Sequence, residues 1–259
     1  MIRSKSLFFC ALLTSTPLSA IADCETGPII VSGKETYPPV SFVQDNKLEG
    51  IGFSALVEIA KSQNLSIKNA KPAPWKRVVN DGRSGKIDIV IGLRDTNKSK
   101  DDFVFLPTPL IDSAQNIFTL KGKNLQSKEH LAGLRGGILS GTTFTSEFEK
   151  YAKENLFISE VRSPVQNLMK LKSGRIDYFI APLLPTIYLI ENSEINIDIT
   201  FTPQPLFTVQ ERIAISKKSN CIDKVDIFEK SLVKLHKNNF INDQFDEMSS
   251  HWNVLDYMR

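Results

Sequence analysis

Ser84-Gly85-Lys86-Ile87-Asp88 and, 89 residues further on, Ser173-Gly174-Arg175-Ile176-Asp177 are nearly the same phrase written twice. Each follows a segment with apolar residues at helical spacing, residues 78–83 and 165–172. Each leads into an apolar run that reads as a strand, residues 87–91 and 176–180. The physics of the phrase is local. Glycine takes the left-handed position just past a helix end, and a cation beside it suits the negative end of the helix dipole. One copy would mark only a helix-to-strand turn. Two copies in matching contexts predict two lobes of similar βαβ design.

Working outward, Pro28-Ile29-Ile30-Val31-Ser32 reads as the first strand, followed by the turn Tyr37-Pro38-Pro39. Residues 52–63 predict a helix with Phe53, Leu56, Val57 and Ala60 on its apolar face. Strand, helix, strand in this order implies right-handed crossovers and a mainly parallel sheet flanked by helices. Toward the C-terminus, residues 211–216 read as a strand. Residues 223–236 form an amphipathic helix through Val225, Phe228, Leu232 and Leu235, and residues 240–248 a final helix. No linker-like stretch separates the halves. The chain is therefore expected to pass between the lobes twice, near residues 114–117 and 208–213. The first lobe is assigned residues 23–115, the second 116–210, and the return segment of the first 211–259.

Residues 1–22 read MIRSKSLFFCALLTSTPLSAIA, with Arg3 and Lys5 ahead of a short apolar stretch and Ala20-Ile21-Ala22 as an A-x-A cleavage site. This is the pattern of a secretory signal peptide, cleaved before Asp23. Its apolar run is far short of the roughly 20 residues a membrane span needs. Export from the cytoplasm follows. Of the 3 cysteines, Cys10 leaves with the leader, and Cys24 and Cys221 are expected to bridge in an oxidising compartment. The full chain carries 32 Lys+Arg against 29 Asp+Glu, a formal charge of +3. That balance, with no block of like charges, disfavours nucleic acid as a partner.

Tyr37-Pro38-Pro39-Val40-Ser41-Phe42, then Leu48-Glu49-Gly50-Ile51-Gly52-Phe53, resembles the opening of periplasmic solute-binding proteins of the polar amino-acid type, the bacterial extracellular solute-binding family 3. The resemblance continues through both copies of the repeated phrase, Phe105-Leu106-Pro107-Thr108-Pro109-Leu110 and Gly137-Ile138-Leu139-Ser140-Gly141-Thr142-Thr143. It implies a type 2 periplasmic binding fold: two α/β lobes joined by two crossover strands and closing on a small ligand in the cleft. It also implies a monomer that works with the membrane subunits of an ABC-type transporter, without catalysis, cofactor or metal. A ligand-sensing partner of a membrane receptor and a cleft lyase are the other uses of such a fold.

The same resemblance suggests ligand contacts one position at a time. Tyr37 lies on the loop after the first strand, and Trp75 matches an aromatic that stacks on the ligand. Pro72 and Pro74 place Trp75 at a rigid loop end. Arg77 completes a Trp-x-Arg pattern. Gly92-Leu93-Arg94-Asp95-Thr96 follows a strand, where ligands bind in open parallel sheets, so Arg94 and Thr96 are candidates. The family's carboxylate-clamping arginine falls at Lys100 here, and whether Lys100 or Arg94 takes that role stays open. Thr142 and Thr143 are expected at the start of the next helix, as cap and cleft-facing hydroxyl. The acidic residue that usually meets a ligand ammonium is replaced by Ala181-Pro182-Leu183-Leu184-Pro185. This departure points toward an amino-acid derivative, an organic acid or a ligand with an apolar portion.

Catalytic and metal patterns are weak. His130, His236 and His251 lie far apart and lack metal-ligand spacing. Ser231-Leu232-Val233-Lys234 spells S-x-x-K without its companion motifs. Asp95 and Glu35 are the only acid–base candidates near the expected cleft, and both read more simply as solvated loop carboxylates.

Overall fold

The computed structural model describes Cys24, residues 27–142 and residues 144–250. The leader assigned to residues 1–22 and the candidate ligand residue Thr143 lie outside the described residues. The chain opens with β1 (Ile29–Gly33), a small antiparallel sheet of β2 (Thr36–Tyr37), β3 (Ser41–Gln44) and β4 (Lys47–Glu49), and then α1 (Ile51–Ser62). It continues through β5 (Ile67–Asn69), α2 (Trp75–Arg83), β6 (Ile89–Leu93), the one-turn α3 (Asn97–Lys100) and β7 (Phe103–Phe105) into the long strand β8 (Ile111–Leu120). The middle repeats the alternation with β9 (Arg135–Leu139), α4 (Ser146–Asn155), β10 (Phe157–Val161), α5 (Pro164–Lys172), β11 (Tyr178–Pro182), α6 (Leu183–Glu191) and β12 (Ile199–Phe201). A second long strand, β13 (Phe207–Ser216), brings the chain back to α7 (Val225–Lys237) and α8 (Phe240–Ser250).

Strand pairing runs in the order β10-β9-β11-β8-β13-β6-β1-β5. Each lobe has a parallel trio, β5-β1-β6 in the first and β10-β9-β11 in the second. The antiparallel exceptions are the connecting strands and two short additions, β7 on β13 and β12 on β8. β8 and β13 lie side by side from Ile111 opposite Glu211 to Gln115 opposite Phe207. Beyond Gln115, β8 pairs with β11 in the second lobe; beyond Glu211, β13 pairs with β6 and β7 in the first. Both crossings thus fall in the stretches whose mixed polarity singled them out.

The repeated phrase has the same anatomy in both lobes. Gly85 and Gly174 take φ of 80° and 66°, the left-handed region where a side chain would be strained. The next residue closes the helix end, Lys86 N–H donating to Asp81 O and Arg175 N–H to Lys170 O. The aspartate then fixes the neighbouring parallel strand. Asp88 accepts from Ile30 N–H at 2.8 Å, and Asp177 accepts from Arg135 N–H at 3.0 Å. Because residues 86 and 87 are spent on leaving the helix, the strand starts at Ile89 and not at Ile87. The same delay moves the second strand's start to Tyr178.

Alternation along the strands divides each lobe's core between two faces. In the first lobe Ile89 and Ile91 pack with α1, α7 and α8, whereas Val90 packs with Val78 of α2 and Phe103. In the second, Ile117 faces Phe148 of α4 and Phe118 faces Leu168 and Leu171 of α5. The phase of α1 differs from the one its sequence suggested. Its inner face is Gly52, Ala55, Leu56, Ile59 and Ala60, and Val57 is 37% exposed, because α7 and α8 cover only one side of the helix.

Cys24 and Cys221, both buried, are joined as a disulfide between residues 197 apart in sequence. It fastens the entry to β1 to the segment after β13. Reduction, or Cys24→Ser, should lower the unfolding free energy by about 2–5 kcal/mol, measured by urea denaturation with and without reductant. A second expectation concerns acid. The Arg135 guanidinium and backbone hold the Asp177 carboxyl down from 3.8 to about 2. Its stabilisation is therefore present above pH 3.8 and disappears as the pH falls toward 2. Asp177→Asn should flatten that part of the stability–pH curve.

Candidate functional site

Glu211 lies at the step where β13 passes from β8 to β6, next to a register shift at Arg212 and Ile213. It shares a strand face with Ile213 and Ile215, and all three have no exposed surface. A carboxylate in that position needs partners, because burying an uncompensated charge is costly. Three groups supply them. The Tyr37 hydroxyl donates to Oε1 at 2.8 Å, Lys34 Nζ lies 3.3 Å from Oε2, and Arg94 Nε lies 3.6 Å from Oε1. Lys34 and Arg94 leave the C-terminal ends of β1 and β6, adjacent parallel strands, so both cations arrive at the same edge of the sheet.

The cluster extends in two directions. Tyr37 Oη is 3.0 Å from Ser113 Oγ on β8, and Gln115 Nε2 donates to the same hydroxyl at 3.2 Å. A polar chain therefore follows β8 toward the second lobe. On its other side, Lys34 Nζ sits 3.7 Å from the centre of the Tyr37 ring and 5.5 Å from that of Trp75, within cation–π range. The Lys34 and Arg94 side chains each keep 18% exposure. Burial lowers the Lys34 pKa, with Glu211 opposing and Arg94 reinforcing the shift. Burial, then the Glu211 charge, raises that of Tyr37.

Of the residues expected at the site, Tyr37, Trp75 and Arg94 come together. Trp75 is the first residue of α2, not the end of the preceding loop. Pro74, at φ −52°, already has the backbone angle that precedes a helix. The indole is half-buried and packs against the Val78 and Phe103 cluster.

The other candidates are occupied elsewhere. Arg77 is on the outer face of α2, 74% exposed and 3.5 Å from Asp81 one helical turn on. Thr96 caps α3, exchanging side-chain and backbone hydrogen bonds with Ser99. Lys100 ends α3 with a 58% exposed side chain 3.0 Å from Asp95. It borders a recess of about 420 Å³ beside β7, shared with Asp95, Phe105 and Arg212. Thr142 spends its N–H and its hydroxyl on Leu139 O in the turn after β9. The cap of α4 is Thr145, which accepts from Phe148 N–H at 3.3 Å. The helix begins later than the glycine-threonine run suggested, and Thr142 does not cap it.

Lys34, Ser113 and Glu211 were not singled out by the sequence reading. Glu211 had a usable signal: a carboxylate in step with Ile213 and Ile215 must share their buried face. Lys34 had a positional one, at the end of a central parallel strand.

Bacterial extracellular solute-binding proteins, family 3, provide a family model that matches residues 29–252. The chain belongs to this family. Among curated family relatives, it is 27% identical to the L-cystine-binding protein TcyJ of Escherichia coli (strain K12), over 76% of this chain and 73% of that protein. It is 25% identical to the putative amino-acid ABC transporter-binding protein PatH of Vibrio harveyi, over 76% and 77%. A solved ancestral arginine-binding protein bound to arginine superposes with a TM-score of 0.68 at 25% identity, covering 87% of this chain and 98% of that one. In this family member, two cations and a phenol converge on one buried carboxylate, with the Tyr37 and Trp75 rings forming a wall beside Lys34. Such a surface can hold and orient an anionic group.

Glu211→Ala should destabilise the unliganded protein by about 3–5 kcal/mol, because two cations lose their buried counter-charge. Arg77→Ala should change stability by less than about 0.5 kcal/mol and leave ligand affinity unaltered. Denaturant titration and calorimetry of the two variants check both statements.

Proposed function

We propose that this protein captures a small polar solute in the cleft between its lobes and delivers it to the membrane subunits of an ABC-type transporter. The solute is an amino acid, an amino-acid derivative or an organic acid. One observation carries the reading: the Glu211 cluster takes residues from both connecting strands, Ser113 on β8 and Glu211 on β13, together with strand ends of the first lobe. A ligand touching this cluster and the facing lobe favours the closed arrangement by its differential contacts. The moving bodies are residues 23–115 with 211–259, and residues 116–210, hinged along the β8–β13 pair. Tyr37, Trp75 and Arg94 meet the ligand from the first lobe. Thr142 and Thr143 are the second-lobe candidates. No chemical change of the solute is part of this function.

The exported location rests on the family, the leader and the disulfide. The mature protein is periplasmic, monomeric and begins at Asp23, which N-terminal sequencing and light scattering of secreted protein check. Amino acids and organic acids should be screened by thermal shift. A true ligand at 100 times its Kd should add about 2.7 kcal/mol of stability and shrink the radius of gyration in X-ray scattering. Scattering that is unchanged by every stabilising solute, or conversion of one into product, would reject capture by closure.

A further inference from the structure

The position that a ligand cation would need is already filled by the protein itself. The two aromatic faces at the site, Tyr37 and Trp75, are where a guanidinium or ammonium would be held by the ring quadrupoles. Lys34 Nζ occupies both, at 3.7 and 5.5 Å from the ring centres. The one fully buried carboxylate there, Glu211, is likewise taken: Tyr37, Lys34 and Arg94 all address it. Lys34 and Arg94 thus both address the single Glu211 carboxylate. Across the strand crossing, β11 ends at Pro182 opposite Gln115, in the run Ala181-Pro182-Leu183-Leu184-Pro185, which offers no carboxylate. A cationic side chain entering this site meets two cations and a neutralised anion. An anionic one meets two cations.

We propose that Lys34 is the residue that sets ligand class: its ammonium stands in the aromatic box in place of a ligand cation, so that the site takes a small organic anion and rejects cationic amino acids. The proposal rests on the capture reading above. Two sources share this chemistry, acidic amino acids such as glutamate and monocarboxylates with a neutral remainder such as N-acetylglycine. In the second case no ligand ammonium needs a partner, which suits the apolar turn after Pro182.

Lys34 also holds Glu211, so its removal has two effects that must be separated. Lys34→Arg keeps a charge of the same sign that can serve both contacts, whereas Lys34→Met keeps the length of the side chain and removes the charge. In the methionine variant the Glu211 carboxylate loses one of its two cations and becomes available to an incoming ammonium or guanidinium. The expected sign of the change is thus opposite for the two ligand classes. Simple loss of structure would weaken both.

The test is calorimetry on the mature full-length protein with L-glutamate, N-acetylglycine, L-glutamine, L-arginine and L-lysine. Wild-type protein should favour the better of the two anions over arginine and lysine by roughly 10- to 100-fold, the size of a charge-assisted contact. Lys34→Met should narrow or invert that ratio, weakening the anions and strengthening arginine, whereas Lys34→Arg should keep it. The glutamate and N-acetylglycine arms separate the two sources. Arginine or lysine binding to wild type as tightly as the anions would overturn the proposal while leaving capture intact, as would an unchanged ratio in a folded Lys34→Met. Wild-type protein that binds solutes of no charge class would instead remove the capture reading, and this proposal with it. The wild-type ratio alone decides the matter should the methionine variant not fold.

Discussion

A carboxylate without solvent access, set where the returning strand steps from one lobe to the other, constrains everything around it. The burial of Glu211 there is offset by Lys34, Arg94 and Tyr37, which all reach it. Their reach in turn requires β1 and β6 to end side by side, which the parallel pairing of these two strands ensures. The connecting strand, the first-lobe sheet and the aromatic wall are therefore parts of one electrostatic arrangement. It sits on the β8–β13 pair, the place through which any relative movement of the lobes must be accommodated.

The architecture could be read from the chain because its signals are local and repeated. Gly85 and Gly174 end helices, Asp88 and Asp177 lock the adjacent strand, and neither function depends on distant sequence beyond the partner strand. The crossings were legible for a related reason: strands buried unevenly along their length have mixed polarity. The site was harder. Tyr37, Trp75 and Arg94, which the fold brings together, follow strands or open a helix beside them. Arg77, Thr96 and Lys100 share those neighbourhoods, yet they point outward or serve a cap, and direction on a one-turn helix such as α3 is not fixed by spacing. Glu211 was overlooked because a single acidic letter at the start of an apolar strand looks like its solvent end. Its parity with Ile213 and Ile215 was the better guide.

The site also shows how a family's general plan is made particular. Aromatic walls and positive charge at strand ends would suit ligands of several kinds. In this chain the side chain following β1, Lys34, lies over Tyr37 and toward Trp75. A binding surface is then defined as much by which of its contacts are internally satisfied as by those it presents.

The covalent tie between Cys24 and Cys221, with α7 and α8 packed on α1, makes the first lobe a discontinuous body with the second inserted into it. A chain made from its N-terminus onward can assemble the inserted lobe once residues up to about β13 have emerged. The first lobe has both halves of its disulfide only once Cys221 has followed, and its helices α7 and α8 come later still. The order of completion is the reverse of the order of synthesis.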